Sequence, residues 1–423
     1  MSFPRILAAG HGPLLWIQAT LLLLCVLANV YSLLGVVAAA EFFRLRPEAD
    51  PDFQPPISIL KPLRGLDPDA YANLSSFFRL EYQRFELIFA FESEADPAVP
   101  LVRRILEEFP AVDARIVFHP VPIDGSPKVA ALASAARASR YELLLVSDGD
   151  IRVGPDHLAR MVQPMADAGV GVVTCLYRSH GAGWFGTLDA IGLSAEFQRD
   201  ALVARKVEGV SFAMGSGILI RAAVLEAIGG FGALANHLAD DFLLGNLPTR
   251  RGYRTEFAHE VVDHSLGTKR LGDLVRHQLR WNRGIRASRP GGYAGMVFTH
   301  ATALGVLLLA AEKGSPFGWM MLAGTAATSM IAAWLVAVRH LRDQGVRKFL
   351  WLVPVRDVLS FVFWIAGMFG STVHWRGRRF RLGRNGLLSP IRSAPGRRAW
   401  VPAGSAIGPG PARREEVERP SQR

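Results

Sequence analysis

Tyr141-Glu142-Leu143-Leu144-Leu145-Val146-Ser147-Asp148-Gly149-Asp150 is an apolar run the length of a buried strand, closed by two carboxylates one glycine apart. An unbroken apolar run bounded by small residues suits the centre of a parallel sheet covered on both faces. Ligands of open α/β sheets bind beyond the carboxyl ends of such strands, which is where Asp148 and Asp150 fall. Two carboxylates on one turn can hold a hard divalent cation, and that cation can bridge the phosphates of a nucleotide. An isolated Asp-Gly-Asp is more often a solvated turn, so its meaning depends on the chain around it.

Outward from that strand, strands and helices alternate. Residues 57–60 read as a first strand, followed by Lys61-Pro62-Leu63-Arg64-Gly65, whose two cations either meet phosphate or sit in a solvated loop. A helix is expected over 69–79 and a strand over 86–91, ending in the acidic loop Glu92-Ser93-Glu94-Ala95-Asp96-Pro97. Residues 115–118 form a third strand, and Pro127 opens a helix at its first position, with Lys128 next to it. Leu158, Met161, Val162 and Met165 share one face of a later helix. Residues 170–174 read as a strand and 188–203 as a long helix. The small-residue turn Phe212-Ala213-Met214-Gly215-Ser216-Gly217 leads into Ile218-Leu219-Ile220. This repeat means an α/β domain with a mostly parallel sheet. No G-x-G-x-x-G or P-loop follows the first strand, so phosphates would be held by metal and basic side chains. That favours sugar nucleotides over dinucleotides or ATP.

Half of the 423 residues are apolar, but they are unevenly placed. Residues 14–40 are almost uncharged and long enough to cross a bilayer, too long for a signal peptide and without a clear cleavage site. Three more apolar stretches follow at 294–311, 317–338 and 349–370, so a soluble domain lies between membrane elements. The net charge of +11 is concentrated beside apolar stretches, as in Arg339, Arg342, Arg347 and Lys348 and again from Arg376 to Arg384. That distribution marks a cytoplasmic membrane face and argues against nucleic acid as a partner. Cys25 and Cys175 lie in different environments, consistent with a domain in reducing cytosol.

At this point the chain resembles the ceramide glucosyltransferase-like family of inverting GT-A glycosyltransferases, including its hopanoid-biosynthesis branch. The resemblance is carried by Lys61-Pro62-Leu63-Arg64-Gly65, Pro127-Lys128, Asp148-Gly149-Asp150, Gly229-Gly230-Phe231, Ala239-Asp240-Asp241-Phe242, His277-Gln278-Leu279-Arg280-Trp281 and the terminal Trp375-Arg376-Gly377-Arg378-Arg379-Phe380-Arg381. It covers residues 14–385 and implies a GT-A domain using Mg²⁺ or Mn²⁺. Asp148 and Asp150 would hold the metal and the nucleotide sugar, joined by Lys61, Glu92, Asp96, Lys128, His277 and Gln278. Asp241 would be the catalytic base, with Arg280 and Trp281 beside the diphosphate and the acceptor. Two departures stand out: His277 occupies a position the family fills with Gln or Arg, and Ser93 falls where its first aspartate belongs. Glu92, Glu94 or Asp96 is then the candidate to take that aspartate's role.

The resemblance implies transfer of a hexose from a UDP-sugar to a lipid hydroxyl: glucose to ceramide, or N-acetylglucosamine to a hopanoid polyol such as bacteriohopanetetrol. A binding protein for a nucleotide sugar, or an enzyme acting on another lipid, is the alternative; a processive synthase would need more helices after the domain. The expected organisation is a non-cytoplasmic 1–13, a span at 14–40 and a cytoplasmic GT-A domain over 55–288. After it come two spans plus one interfacial or third membrane helix within 294–372, a basic segment at 373–394 and a disordered tail at 395–423. Pro354, Arg356 and Asp357 make 349–370 the interfacial or re-entrant candidate. The expected location is a bacterial inner membrane, with the catalytic domain in the cytoplasm.

Overall fold

The computed structural model describes residues 12–45, 49–119, 126–375 and 378–391. The expectations for residues 1–11, for Arg376 and Gly377, and for the chain beyond 391 fall outside them.

Eight strands form one sheet: β1 (Ile57–Pro62), β2 (Phe85–Phe91), β3 (Ala114–Phe118), β4 (Leu143–Val146), β5 (Ile151–Arg152), β6 (Val170–Gly181), β7 (Ile218–Arg221) and β8 (Arg254–Leu266). Their order is β3-β2-β1-β4-β7-β6-β8-β5. β3, β2, β1 and β4 run parallel, as do β6 and β8, while β7 is antiparallel to both its neighbours and β5 to β8. The mostly parallel α/β sheet expected from the apolar runs is present, and every residue of β1 and β4 is buried. Ile57, Ile59, Leu143 and Leu145 point into one core, and Leu60, Leu144 and Val146 into the core on the opposite face. Alternation on a strand covered from both sides explains why these segments read as continuous apolar runs. Chain order reverses between β1 and β4, and the carboxyl ends of these two strands open the crevice in which ligands of such sheets bind.

The helix Gly12–Arg44 is 33 residues long. Its inner end is built into the α/β domain: Phe42 is buried in the larger core and stacks on His259, ring centroids 4.2 Å apart. Tyr31 donates to Asp200 Oδ1 at 3.2 Å, and Lys206 pairs with Glu41. The long helix expected at 188–203 runs as Gly183–Ile191, a π segment Gly192–Phe197 and Gln198–Glu208.

Beyond the domain, Gly12–Arg44, Pro316–His340 and Leu350–Met368 are long and apolar enough to cross a membrane. Pro290–Thr299 and Ala301–Ala311 form a pair bent by 65°. A three-stranded antiparallel sheet closes the described chain: β9 (Thr372–Trp375), β10 (Arg378–Leu382) and β11 (Leu388–Pro390). Its turn docks on the α/β domain, where Leu238 N donates to Gly386 O at 3.0 Å and Leu388 N to Asn236 O at 2.7 Å.

Candidate active site

The β1–β4 register sets Leu60 beside Val146, so the residues that follow each strand face one another across the crevice. Lys61 donates to Asp148 O at 2.6 Å and to Ser147 Oγ at 3.3 Å, with its ammonium 3.8 Å from the centre of the Phe77 ring. Burial pushes Lys61 down to about 7, against the pull of Asp150, Asp148 and Asp67. Lys128, in the first turn of Pro127–Ala138, reaches Asp148 Oδ1 at 2.7 Å and Asp240 Oδ2 at 3.5 Å. Burial works against its charge, and Asp148, Asp240 and Asp241 together outweigh it, so Lys128 stays protonated.

The second carboxylate is fixed by the far half of the sheet. β5 pairs with β8, and Ser265 N donates to Asp150 O at 2.9 Å. That pairing sets His264 Nε2 3.4 Å from Asp150 Oδ2, while His264 Nδ1 meets Ser179 Oγ at 3.0 Å. Burial raises the Asp148 carboxyl, helped by Asp150 and opposed by Lys128. Burial also works to raise Asp150, but His264, Lys61 and Lys128 more than offset it and hold it below the usual carboxylate range. Two carboxylates on one turn are thus driven apart by their surroundings.

Asp240 and Asp241 open the helix Asp240–Arg250. Asp241 Oδ1 accepts from Phe242 N at 2.8 Å, leaving Oδ2 toward the crevice. A Cβ on Gly215 would lie 2.9 Å from Asp148 Oδ2 and 3.6 Å from Asp241 Oδ2, so this glycine lets the turn before β7 approach both carboxylates closely. Burial first, then Asp240, pushes Asp241 up to about 6.

His277 and Gln278, on Leu271–Ser288, converge on Asp189. His277 Nδ1 is 2.8 Å from Asp189 Oδ2, Gln278 Nε2 donates to Oδ1 at 2.8 Å, and Thr268 donates to Oδ2 at 2.7 Å. Burial opposes the Asp189 charge, but His277, Thr268 and Arg356 hold its carboxyl at about 2. Trp281 sets its ring edge-to-face with Phe197 (5.1 Å) and His277 (5.7 Å). Arg280 lies half-buried on the same helix. Tyr177 is 5% exposed and packs on His264 and Phe197. Its phenol is pushed well up by burial first and then by Asp241, Asp150 and Asp189.

The remaining candidates lie at the rim. A pocket over the ends of β1, β2 and β3 is lined by Leu63, Arg64, Glu92, His119 and Lys128, with Arg64 3.8 Å from Glu92. Asp96 is turned into the fold, accepting from Gly65 N at 2.9 Å and Ala98 N at 2.9 Å. Ser93 Oγ accepts from Ala95 N at 3.2 Å, a local turn on an exposed loop. Sequence reasoning missed His119, Asp189 and His264. Among the described residues His119 Nε2 is buried with no hydrogen-bond partner.

Among the described residues no three His, Cys, Asp or Glu side chains gather into a ready-made metal cage. Two carboxylates beside basic side chains nevertheless suit a hard dication whose other ligands come from substrate phosphates. The donor set therefore fits Mg²⁺ or Mn²⁺ held jointly with a nucleotide.

The model of glycosyl transferase family 21 matches residues 20–388, and the chain belongs to that family. Ceramide glucosyltransferase 1 of Caenorhabditis elegans is 26% identical over 389 residues, 88% of this chain and 81% of the relative. Ceramide glucosyltransferase 3 of the same organism is 27% identical over 229 residues, 54% of this chain and 50% of the relative. Among solved structures, the mannosyltransferase PcManGT from Pyrobaculum calidifontis, in complex with GDP-Man and Mn²⁺, matches with a TM-score of 0.53 at 20% identity. It covers 83% of this chain and 97% of that one, and the likeness shows a GT-A fold.

Proposed function

We propose that this glycosyltransferase moves a hexose from a UDP-sugar onto the hydroxyl of a membrane lipid, with inversion. Glucose transfer to ceramide is the reading favoured by the named relatives. Transfer of N-acetylglucosamine to a hopanoid polyol is the other member of the same class. The observation that carries the reading is that Asp241 Oδ2 and Asp148 Oδ2 both lie close to the position a Cβ on Gly215 would take, at 3.6 and 2.9 Å. A raised carboxylate stands there beside a group suited to the donor diphosphate, as a general base should.

Asp241 takes the proton of the acceptor hydroxyl, whose oxygen bonds to the anomeric carbon. The bond from that carbon to the diphosphate oxygen breaks, and its electron pair leaves with UDP. Attack from the face opposite the leaving group gives inversion. Lys128 and Lys61 place positive charge beside Asp148, where the diphosphate would lie. Mg²⁺ or Mn²⁺ held by Asp148 and Asp150 would neutralise charge on the phosphates. Glu92 and His119 line the pocket suited to the nucleoside, and Asp96 shapes the loop at Gly65. Trp281 and Arg280 face the acceptor side.

The proposed topology has Gly12–Arg44 entering the cytoplasm, the bent pair over 290–311 crossing out and Pro316–His340 crossing back. Gln18, near the outer end of the first helix, donates to Ala311 O at 3.0 Å. His340, at the return, stacks on Phe43, ring centroids 4.8 Å apart, at the inner end. Leu350–Met368 is interfacial in this reading, because both its ends are tied to the cytoplasmic domain. Leu352 and Val353 pack with Ile191 and Ala195 at one end, and Arg286 donates to Met368 O at the other. The C-terminal sheet then stays on the catalytic side, as its hydrogen bonds to Asn236 and Leu238 require.

The test is a donor–acceptor matrix with the full chain in detergent. It crosses UDP-glucose and UDP-N-acetylglucosamine with ceramide and bacteriohopanetetrol, in Mg²⁺ or Mn²⁺, with Asp241→Asn as control. A glycolipid product with UDP release in one combination, absent in the variant, supports the reading and names the branch. No product in any combination sinks it for both acceptors.

A further inference from the structure

We propose that Glu196 and Arg356 form the receptor for the head of the lipid acceptor, a site that rests on the lipid-glycosylation reading and makes it specific. Arg356 lies in the first turns of Val353–Met368 and is 3% exposed. Its Nη2 is 3.8 Å from Glu196 Oε2, while its Nε and Nη1 have no hydrogen-bond partner among the described residues. Glu196 Oε2 accepts from Ser360 Oγ at 2.6 Å, and Glu196 Oε1 is buried without a partner. A buried guanidinium with idle N–H groups beside a half-used carboxylate is costly, and a protein keeps such a pair where a ligand completes it.

The local backbone is shaped around this pair. Glu196 belongs to the π segment Gly192–Phe197, a wide turn of the kind that recurs at functional sites. Gly192 in the same segment receives the guanidinium directly: a Cβ there would lie 2.1 Å from Arg356 Nη2. The next residue, Phe197, turns its ring to Trp281 and Tyr177, so the segment has one side in the crevice and the other on Arg356. Asp189 lies within the electrostatic reach of Arg356 and holds His277 and Gln278 on its other side. The pair is thus connected to the crevice through Phe197 and Asp189, on a helix whose ends are tied to the catalytic domain.

The chemistry restricts the ligand. Glu196 and Asp189 leave no surplus positive charge around Arg356, which disfavours a phosphate headgroup. The idle atoms ask for an oxygen that accepts from arginine next to a hydroxyl that donates to glutamate. That is an uncharged lipid head with neighbouring oxygens, such as the amide and hydroxyls of a ceramide or the polyol of a hopanoid. A simple long-chain alcohol, with a single hydroxyl committed to Asp241, cannot use the pair.

The test uses the full chain with ceramide, bacteriohopanetetrol and 1-dodecanol as acceptors, comparing wild type with Arg356→Gln and Glu196→Gln. Acceptor-independent UDP-sugar hydrolysis is followed alongside. The variants should raise KM for the accepted multi-oxygen lipid roughly 10- to 100-fold, the loss of a hydrogen bond to a charged group. Donor KM, UDP-sugar hydrolysis and KM for dodecanol should hold. Equal losses for dodecanol and the natural acceptor, or an unmoved KM, would overturn the proposal. Fluorescent NBD-ceramide binding in an Asp241→Asn background separates the site from the chemistry. Binding that needs Arg356, with no turnover by wild type, sinks the transferase reading and keeps the site; turnover with binding indifferent to Arg356 does the reverse. Should Arg356→Gln fail to fold, Glu196→Gln, which keeps the volume and the Ser360 contact, carries the comparison.

Discussion

Lys128 Nζ lies 2.7 Å from Asp148 Oδ1, and the same ammonium faces Asp240 at 3.5 Å. One cation therefore joins the acids that follow β4 to those that open the helix Asp240–Arg250. Its helix begins at Pro127, so its position is fixed by the backbone and not only by the charges it meets.

Because the Asp241 carboxyl is raised to about 6 and must be ionised to accept a proton, the rate should fall as pH drops through about 6. Lys128 is among the groups that hold this carboxyl down, so Lys128→Gln should move the acidic limb of the kcat/KM profile to higher pH. A limb in the same place for both proteins would remove Asp241 from the role.

Asp241→Asn should abolish most activity, a loss of about 10²- to 10⁴-fold. It should also stabilise the fold. The native state binds the Asp241 proton more tightly than the unfolded chain, so ionised Asp241 carries a cost that appears as pH rises from the ordinary carboxylate range and is complete above about 6. Asparagine keeps an acceptor for Phe242 N and removes the charge. At pH 7.5 in EDTA the gain should be about 1–2 kcal/mol after solvent screening, read as a higher Tm; a lower Tm contradicts the account.

Gly215→Ala places a methyl 2.9 Å from Asp148 Oδ2. The displaced carboxylate should cost about 10²-fold in kcat, and donor KM should rise. Circular dichroism and Tm should stay close to wild type, since Gly215 is a turn residue outside both strand cores. Unchanged kinetics would mean that Asp148 does not need its position.

Asp189→Ala leaves His277, Gln278 and Thr268 without their shared acceptor and should cost about 3 kcal/mol in denaturant unfolding, as removal of one member of a buried network does. Asp189 is held at about 2, below its unfolded value, so the electrostatic part of its contribution should be full above the ordinary carboxylate range, fall progressively as pH drops toward about 2, and be gone below that. A difference between wild type and variant that stays constant from pH 7 down to about 2 would contradict this.

UDP with Mn²⁺ should raise Tm, by the equivalent of about 2.7 kcal/mol at a hundredfold excess over Kd. EDTA should remove most of the gain, and Asp150→Asn should remove the metal-dependent part. Equal protection by UDP with and without metal would show that basic side chains alone hold the diphosphate.

The alternation of strands and helices, the Asp-Gly-Asp turn and the small-residue turn at Gly215 were legible because each is a local pattern with one physical meaning. Asp148, Asp150 and Lys61 could be nominated from such patterns, Lys128 and Asp241 only through the family resemblance, and the crevice between β1 and β4 brings them together. Asp189 carried no such signal. It is a lone acid in the run Gly183-Trp184-Phe185-Gly186-Thr187-Leu188-Asp189, and its meaning comes from His277 and Gln278 on a distant helix. His264 was hidden the same way, because its link to Asp150 depends on the β5–β8 pairing. Asp96 entered through the resemblance, as one of the acids to stand in for the family's first aspartate, and its oxygens bind two backbone N–H groups. The π segment has no compositional mark, since one extra residue in a turn is a matter of packing.

The small sheet formed by β9, β10 and β11 hydrogen-bonds the backbone at Asn236 and Leu238, directly ahead of Asp240 and Asp241. Those bonds join a part of the chain that leaves the ribosome early to one that follows only after every candidate span among the described residues has been synthesised. A nascent chain that ends among those helices already carries Asp148, Asp150, Asp240 and Asp241, yet the segment before Asp240 still lacks these backbone partners. The backbone ahead of Asp240 and Asp241 therefore takes its final partners from the part of the described chain that is synthesised last.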